Sequence, residues 1–180
     1  FTVQLWVRAD NFVNGGISDP SLFSNKSWSD GFTPGFALAG GTALGGGAFQ
    51  WNFASDSVRV RDDFDPSPAV AAIDDGAWHH LLVTHDRDGD AVFYRDGVEI
   101  GAINIANHAN QSIDSGFGFG VGTDGNGGAD HAAYFNGDLD EVALWGRVIT
   151  PEEVSQLFSQ GMVIAVPEPS SALLLGLGGI

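Results

Sequence analysis

AWHHLLVTHDRDGDAVFYRDGVEIGAIN, residues 77–104, decides how the chain is read. Its first ten residues carry a long strand pattern. The DRDGD turn then leads into AVFY, and Asp96-Gly97 leads into VEIGAIN. Asp-Gly between such runs is a strong hairpin signal, because tight hairpin turns need φ > 0 at their central positions. The stretch predicts three antiparallel strands in a meander.

Outward from it, the same pattern recurs. FTVQLWVRAD (1–10) alternates, with Phe1, Val3, Leu5 and Val7 on one face and Thr2, Gln4, Trp6 and Arg8 on the other. LFSNKSW, GFALAG, AFQWNF and SVRVRD are shorter strand candidates between Gly, Pro, Ser and Asp clusters. GFGFGVG and DLDEVALWGRV follow the meander. One helix is well signalled: Thr150 as N-cap, Pro151 at its first position, Glu153 completing a capping box, and Gly161 as stop. Val154, Leu157 and Phe158 form its apolar stripe. The expected fold is all-β: a two-sheet antiparallel jelly-roll sandwich with one short C-terminal helix.

Composition agrees and narrows function. The 180 residues carry seven Lys plus Arg against 23 Asp plus Glu, a formal charge of -16. No basic footprint exists for nucleic acid or anionic lipid. The 26 glycines suit a fold with many tight turns. With no Cys, disulfides and thiolate metal sites are excluded. The chain opens on a strand pattern without Met, which reads as the interior of a longer chain whose upstream part would hold any secretory signal peptide.

FTVQLWV, DGAWHHLLVTHD, YRDG and FNGDLDEVALWGRVITPEEV occur in this order and spacing. By these motifs residues 1–161 resemble the laminin G-like, concanavalin A-like jelly-roll domains of bacterial secreted proteins. The resemblance implies one further strand ahead of Phe1. It leaves function open, since this fold carries lectins, adhesins, enzymes and spacers.

Several constellations could carry chemistry. His79, His80 and His85 suggest a metal cluster, but alternation puts His80 on the face opposite the other two. Six residues of strand separate His79 from His85 by about 20 Å, so these read as histidines of a central strand. Asp86, Asp88 and Asp90 begin like an EF-hand loop, yet Ala91 and Gly97 stand where Gly and Glu are needed. GFGFGVGTDGNGG lacks the helix that a nucleotide loop opens.

The acidic stretch from residue 122 onward offers hard oxygen donors for Ca²⁺, with Asp124, Asp130, Asp138 and Asp140 as candidates. An ordinary acidic loop is the alternative. Asp140 shares the parity of Val142 and Leu144 and is expected to point inward.

Catalysis finds little support. Glycoside hydrolysis needs two carboxylates about 5 to 10 Å apart. The Glu-x-Asp-x-x-Glu string of laminarinase-type enzymes of this fold is absent. No Gly-x-Ser-x-Gly elbow occurs either. Sugar binding by aromatic rings fits better, with Trp28, Trp51, Tyr94 and Tyr134 as candidates. Trp6, Trp78 and Trp145 lie in the recurring motifs and read as packing.

After Gly161 the composition changes, and residues 162–180 read as a separate tail. Val166, Pro167, Glu168, Pro169 and Ser170 precede a short apolar run, Ala172 to Ile180. That run falls short of the about 20 residues a membrane helix needs. This tail resembles the start of a PEP-CTERM sorting signal of Gram-negative bacteria. The resemblance implies export to the cell envelope, surface or matrix, processing by an exosortase-type enzyme, and transient membrane anchoring. The reading as a whole is an exported, non-catalytic jelly roll that binds extracellular glycan or protein. A glycoside hydrolase or a plain spacer is the alternative.

Overall fold

The computed structural model describes residues 1–10, 19–27, 31–41, 47–56, 61–125 and 134–163, the Val163 side chain excepted. Among these residues ten strands form two five-stranded antiparallel sheets. The strands are β1 (Thr2–Arg8), β2 (Ser21–Ser24), β3 (Gly35–Gly41), β4 (Ala48–Ala54), β5 (Arg61–Phe64), β6 (Trp78–His85), β7 (Asp90–Arg95), β8 (Val98–Asn104), β9 (Gly120–Val121) and β10 (Asp138–Trp145). The first sheet runs β10-β1-β6-β7-β8 and the second β5-β4-β3-β2-β9.

The meander expected from residues 77–104 is β6, β7 and β8. Its second turn has positive φ at both Asp96 (54°) and Gly97 (76°), the signature of a type I′ hairpin. The first closes through Asp86 N–H to Asp90 O at 3.0 Å. The acids of DRDGD thus shape a turn.

Alternation sorts β1 as its sequence demands. Val3, Leu5 and Val7 are fully buried between the sheets. They meet Leu81 and Val83 of β6, and Phe36, Leu38, Phe49, Trp51 and Phe53 of the facing sheet. Aromatic stacking fixes the sheet-to-sheet register: Phe64 lies on Phe93 with centroids 3.9 Å apart and planes at 1°. A side chain at Gly101 would leave its Cβ 2.7 Å from Phe64, so that stack needs glycine there.

The late helix, α2 (Pro151–Gln160), forms as its sequence signals. Glu153 N–H donates to Thr150 Oγ1 at 3.3 Å, and Thr150 N–H donates to Glu153 Oε2 at 2.8 Å. Its Val154 and Leu157 pack with Ile149 on Leu82 and Tyr94, covering part of the outer face of the first sheet. A second, single-turn helix, α1 (Pro68–Ala71), escaped the sequence reading. Four residues are too few for periodicity to register. Two strand expectations also shorten. GFGFGVG pairs only at Gly120–Val121, and LFSNKSW leaves the sheet after Ser24, where Lys26 turns inward. Lys26 Nζ donates to Gly31 O at 2.7 Å and to Asn52 Oδ1.

Candidate ligand groove

The outer face of the first sheet is covered by α2 at one end and open at the other. Two rungs of side chains form the open end. Arg8 lies opposite both Trp78 and Asp138, and Trp6 lies opposite both His80 and Asp140. Same-face neighbours across a sheet touch, and here they do. Arg8 Nε and Nη2 donate to Asp138 Oδ2 at 3.0 and 2.6 Å. The same guanidinium sits 5.1 Å from the Trp78 ring centroid. Trp6 stacks on Phe158 of α2 at 5.7 Å, which closes the groove on the helix side.

Two adjoining clefts result. One, of about 300 Å³, is lined by Trp6, Trp78, Asp140 and Glu141. The other, of about 530 Å³, is lined by Arg8, Ala9, Asp10, Gly76, Asn136, Gly137 and Asp138. The Arg8–Trp78 pair stands between them. Trp78 packs under Arg8 and remains 38% exposed.

A bulge in β10 makes this arrangement possible. Between Gln4 and Trp6, two residues along β1, the partner strand advances three, from Ala143 to Asp140. Glu141 takes φ of 46° within that step. An extra residue reverses the face on which everything beyond it points. Val142 packs toward the core, whereas Asp140 is exposed on the outer face opposite Trp6. The expectation that Asp140 points inward is therefore corrected, since the parity rule on which it rested breaks at the bulge. Asp140 Oδ1 accepts from Glu141 N–H at 2.8 Å, and Glu141 Oε2 accepts from Met162 N–H at 3.3 Å.

The candidate aromatic residues are scattered. Trp51 is fully buried, stacked on Phe53 and donating from Nε1 to His85 Nε2 at 3.1 Å. Tyr94 lies beneath α2, and burial, then Glu99 and Glu152, push its pKa up. Neither ring is offered to a ligand: inward parity places Trp51, and the helix covers Tyr94. Tyr134 is 58% exposed and precedes by two residues Asn136, which lines the larger cleft. Trp28 lies outside the described residues.

The described calcium candidates lie apart. Asp130 lies outside the described residues. Asp124 is buried near the end of β2, with Gly125 N–H donating to Lys26 O at 2.7 Å. Asp138 Oδ2 accepts from the Arg8 guanidinium. Among the described residues no three His, Asp or Glu side chains come together as a metal group requires. Asp124, Asp138 and Asp140 as placed do not fit a shared Ca²⁺ ion.

The histidines divide as strand geometry requires. His85 sits in the core against Phe1, with ring centroids 4.0 Å apart, and burial holds its pKa well below the usual value. His80 is buried on the outer side, donates from Nε2 to Gln4 Oε1 at 3.0 Å, and has its pKa lowered to about 4 by burial. His79 bridges Asp96 (2.9 Å) and Asp75 (3.1 Å).

One chemical constellation had no signal in the sequence. Ser55 Oγ lies 2.8 Å from His108 Nδ1, and His108 Nε2 lies 2.8 Å from Asp62 Oδ2. The carboxylate keeps the imidazole proton on Nε2, so Nδ1 accepts from the serine hydroxyl, the logic of a hydrolase triad. Ser55 and His108 are both fully buried, however. The three side chains tie the end of β4 and β5 to the turn that follows β8.

The fold and groove place the protein among the jelly-roll sandwiches, and residues 1–155 match the concanavalin A-like lectin/glucanases superfamily. The chain belongs to that family. It is similar to human neuronal pentraxin-1, with 32% identity over 160 residues, and to guinea pig (Cavia porcellus) neuronal pentraxin-2, with 27% over 162. Each alignment covers 87% of this chain but only 33% of the relative. Among solved structures it resembles the CBM40 of a Ruminococcus gnavus IT-sialidase, with TM-score 0.62, 12% identity, and coverage of 87% of this chain and 81% of that one. It also resembles the binding domain of Paraclostridial Mosquitocidal Protein 1, with TM-score 0.58, 16% identity, and coverage of 87% and 36%.

Proposed function

We propose that the domain is a non-catalytic binding module that holds a glycan in the Trp6–Trp78 groove. The observation that carries this reading is Trp78, a half-exposed indole between two clefts, flanked by the Arg8–Asp138 pair and by Asp140 and Glu141. A flat apolar ring edged by hydrogen-bonding groups suits the C–H face and hydroxyls of a pyranose. Family membership and the likeness to a sialidase CBM40 and a toxin binding domain support it. The test is a glycan array probed with wild type and Trp78→Ala. Hits that vanish in the variant support the groove; hits that persist place the site elsewhere, with exposed Tyr134 the next residue to alter.

Export belongs to the same proposal. Val166, Pro167, Glu168, Pro169 and Ser170 lie outside the described residues, and the reading of them rests on sequence alone. On that reading an exosortase-type enzyme processes the tail after transient membrane anchoring, and the domain is displayed at the envelope, surface or matrix. The calcium part of the proposal rests on the acidic sequence from residue 122, with Asp124 and Asp130 as donors. A melting temperature unmoved by EDTA would remove it.

A further inference from the structure

The charge of the groove specifies its ligand further, and this step rests on the binding reading above. Asp10, Asp138, Asp140 and Glu141 line the two adjoining clefts against a single guanidinium. That guanidinium is already held. Arg8 gives two hydrogen bonds to Asp138 and lies over Trp78, so its charge is answered within the groove wall. Among the described residues, the Asp140 and Glu141 carboxylates accept from backbone N–H groups, of Glu141 and Met162. Among the described residues no basic side chain pairs with Asp10, Asp140 or Glu141. The bulge is what turns Asp140 outward beside the indoles. The chain as a whole carries -16, so the surrounding field has the same sign.

A uronate or sialate would meet four carboxylates against one guanidinium that Asp138 already holds. A protonated amine would meet carboxylates at the edge of an aromatic floor, where a cation gains from both. Arg8 over Trp78 shows that this ring already accepts a cation. We propose that the groove selects glycans bearing free amino groups, that is, N-deacetylated hexosamine chains, and rejects acidic ones. The pyranose supplies the flat face for Trp78, and the amine, held close to the ring, reaches Asp140 and Glu141.

Calorimetry on the whole chain tests this with four probes: a short glucosamine oligomer, its fully N-acetylated counterpart, a galacturonate oligomer and oligolysine. The pH is chosen so that amines are protonated and carboxylates are not. The expected result is that the glucosamine oligomer binds about twofold to fivefold tighter than the acetylated one, the range that an exposed ion pair supplies. Galacturonate should not bind, and added salt should narrow the gap. Asp140→Asn and Glu141→Gln should weaken the glucosamine oligomer more than the acetylated one and so shrink the gap. Equal binding of the two hexosamine oligomers, or binding of galacturonate, overturns the amine preference but leaves the glycan groove standing. Binding of oligolysine in place of either hexosamine oligomer overturns it in favour of a basic peptide partner. If none of the saccharides binds, or if Trp78→Ala binds them unchanged, the groove reading falls and the preference with it.

Discussion

Trp6 and Asp140 face each other across the seam between β1 and β10, while two residues back along β1 Gln4 faces Ala143. Three residues of β10 therefore span what two of β1 span. The extra residue relies on Glu141 at φ of 46°, a conformation that costs an L-residue roughly 1–2 kcal/mol. That cost is consistent with a functional edge, because the bulge is what presents Asp140 and Glu141 to the groove.

The strain gives a first prediction. Glu141→Ala and Glu141→Gly both remove the carboxylate that accepts from Met162 N–H. They differ in backbone freedom. Glycine takes positive φ without penalty, so Glu141→Gly should be more stable than Glu141→Ala by about 1 kcal/mol, the reverse of the usual order within a strand. Chemical denaturation of the pair reads the difference directly. Equal stabilities would mean that the bulge relaxes in solution.

The buried histidine His80 predicts an acid-sensitive fold. Its folded pKa is lowered to about 4, chiefly by burial, against about 6.5 in the unfolded chain. Between these values the unfolded state binds a proton that the folded state refuses, so stability falls as pH drops from about 6.5 to about 4. The full effect is on the order of 3 kcal/mol. His85, held lower still by burial in the core, adds to the slope in the same direction. Unfolding free energy measured across this window should decline steadily, and His80→Gln should flatten the decline. A flat wild-type profile would contradict the buried neutral state.

Glu153 acts further into acid. Arg147 donates to it at 2.7 and 2.6 Å, and with the Thr150 N–H this holds its carboxyl at about 2. Its contribution is complete above the unfolded value of about 4.3 and is lost as pH falls toward the folded one. At neutral pH Thr150→Ala should cost about 1 kcal/mol through loss of the cap. The loosened α2 should also expose Tyr94, visible as increased quenching of its fluorescence by acrylamide. Unchanged quenching would mean that α2 stays docked without its box.

Much of this architecture is legible in the sequence. Period-two alternation in residues 1–8 names the buried set Val3, Leu5 and Val7, and Asp96-Gly97 names its own turn. Thr150 and Glu153 announce α2, because capping is a local interaction between residues three apart. The groove was legible only in part, because it depends on long-range events. No residue type announces that Glu141 will take positive φ, so parity placed Asp140 on the wrong face. Tyr94 and Trp78 lie on neighbouring strands of one sheet, and which of them stays open depends on where α2 lands. Trp51 had the composition of a sugar-binding ring and the parity of a core residue, and parity decided.

The three aromatic positions can be told apart by experiment. Trp51→Ala removes a fully buried indole that touches Phe53, Phe93 and His85. It should destabilise the fold by about 3–5 kcal/mol, and any loss of binding should track the unfolded fraction. Tyr94→Phe keeps the ring under α2 and should leave both stability and binding within about 0.5–1.5 kcal/mol of wild type, the worth of one hydrogen-bonding group. Trp78→Ala takes a ring that is 38% exposed at the start of β6. It should change the melting temperature little and abolish glycan binding. Melting curves and array signals from the same three preparations separate the outcomes, since only Trp78→Ala should lose signal while remaining folded. Loss of signal in folded Tyr94→Phe, with Trp78→Ala unaffected, would move the site beneath α2 and require the helix to lift.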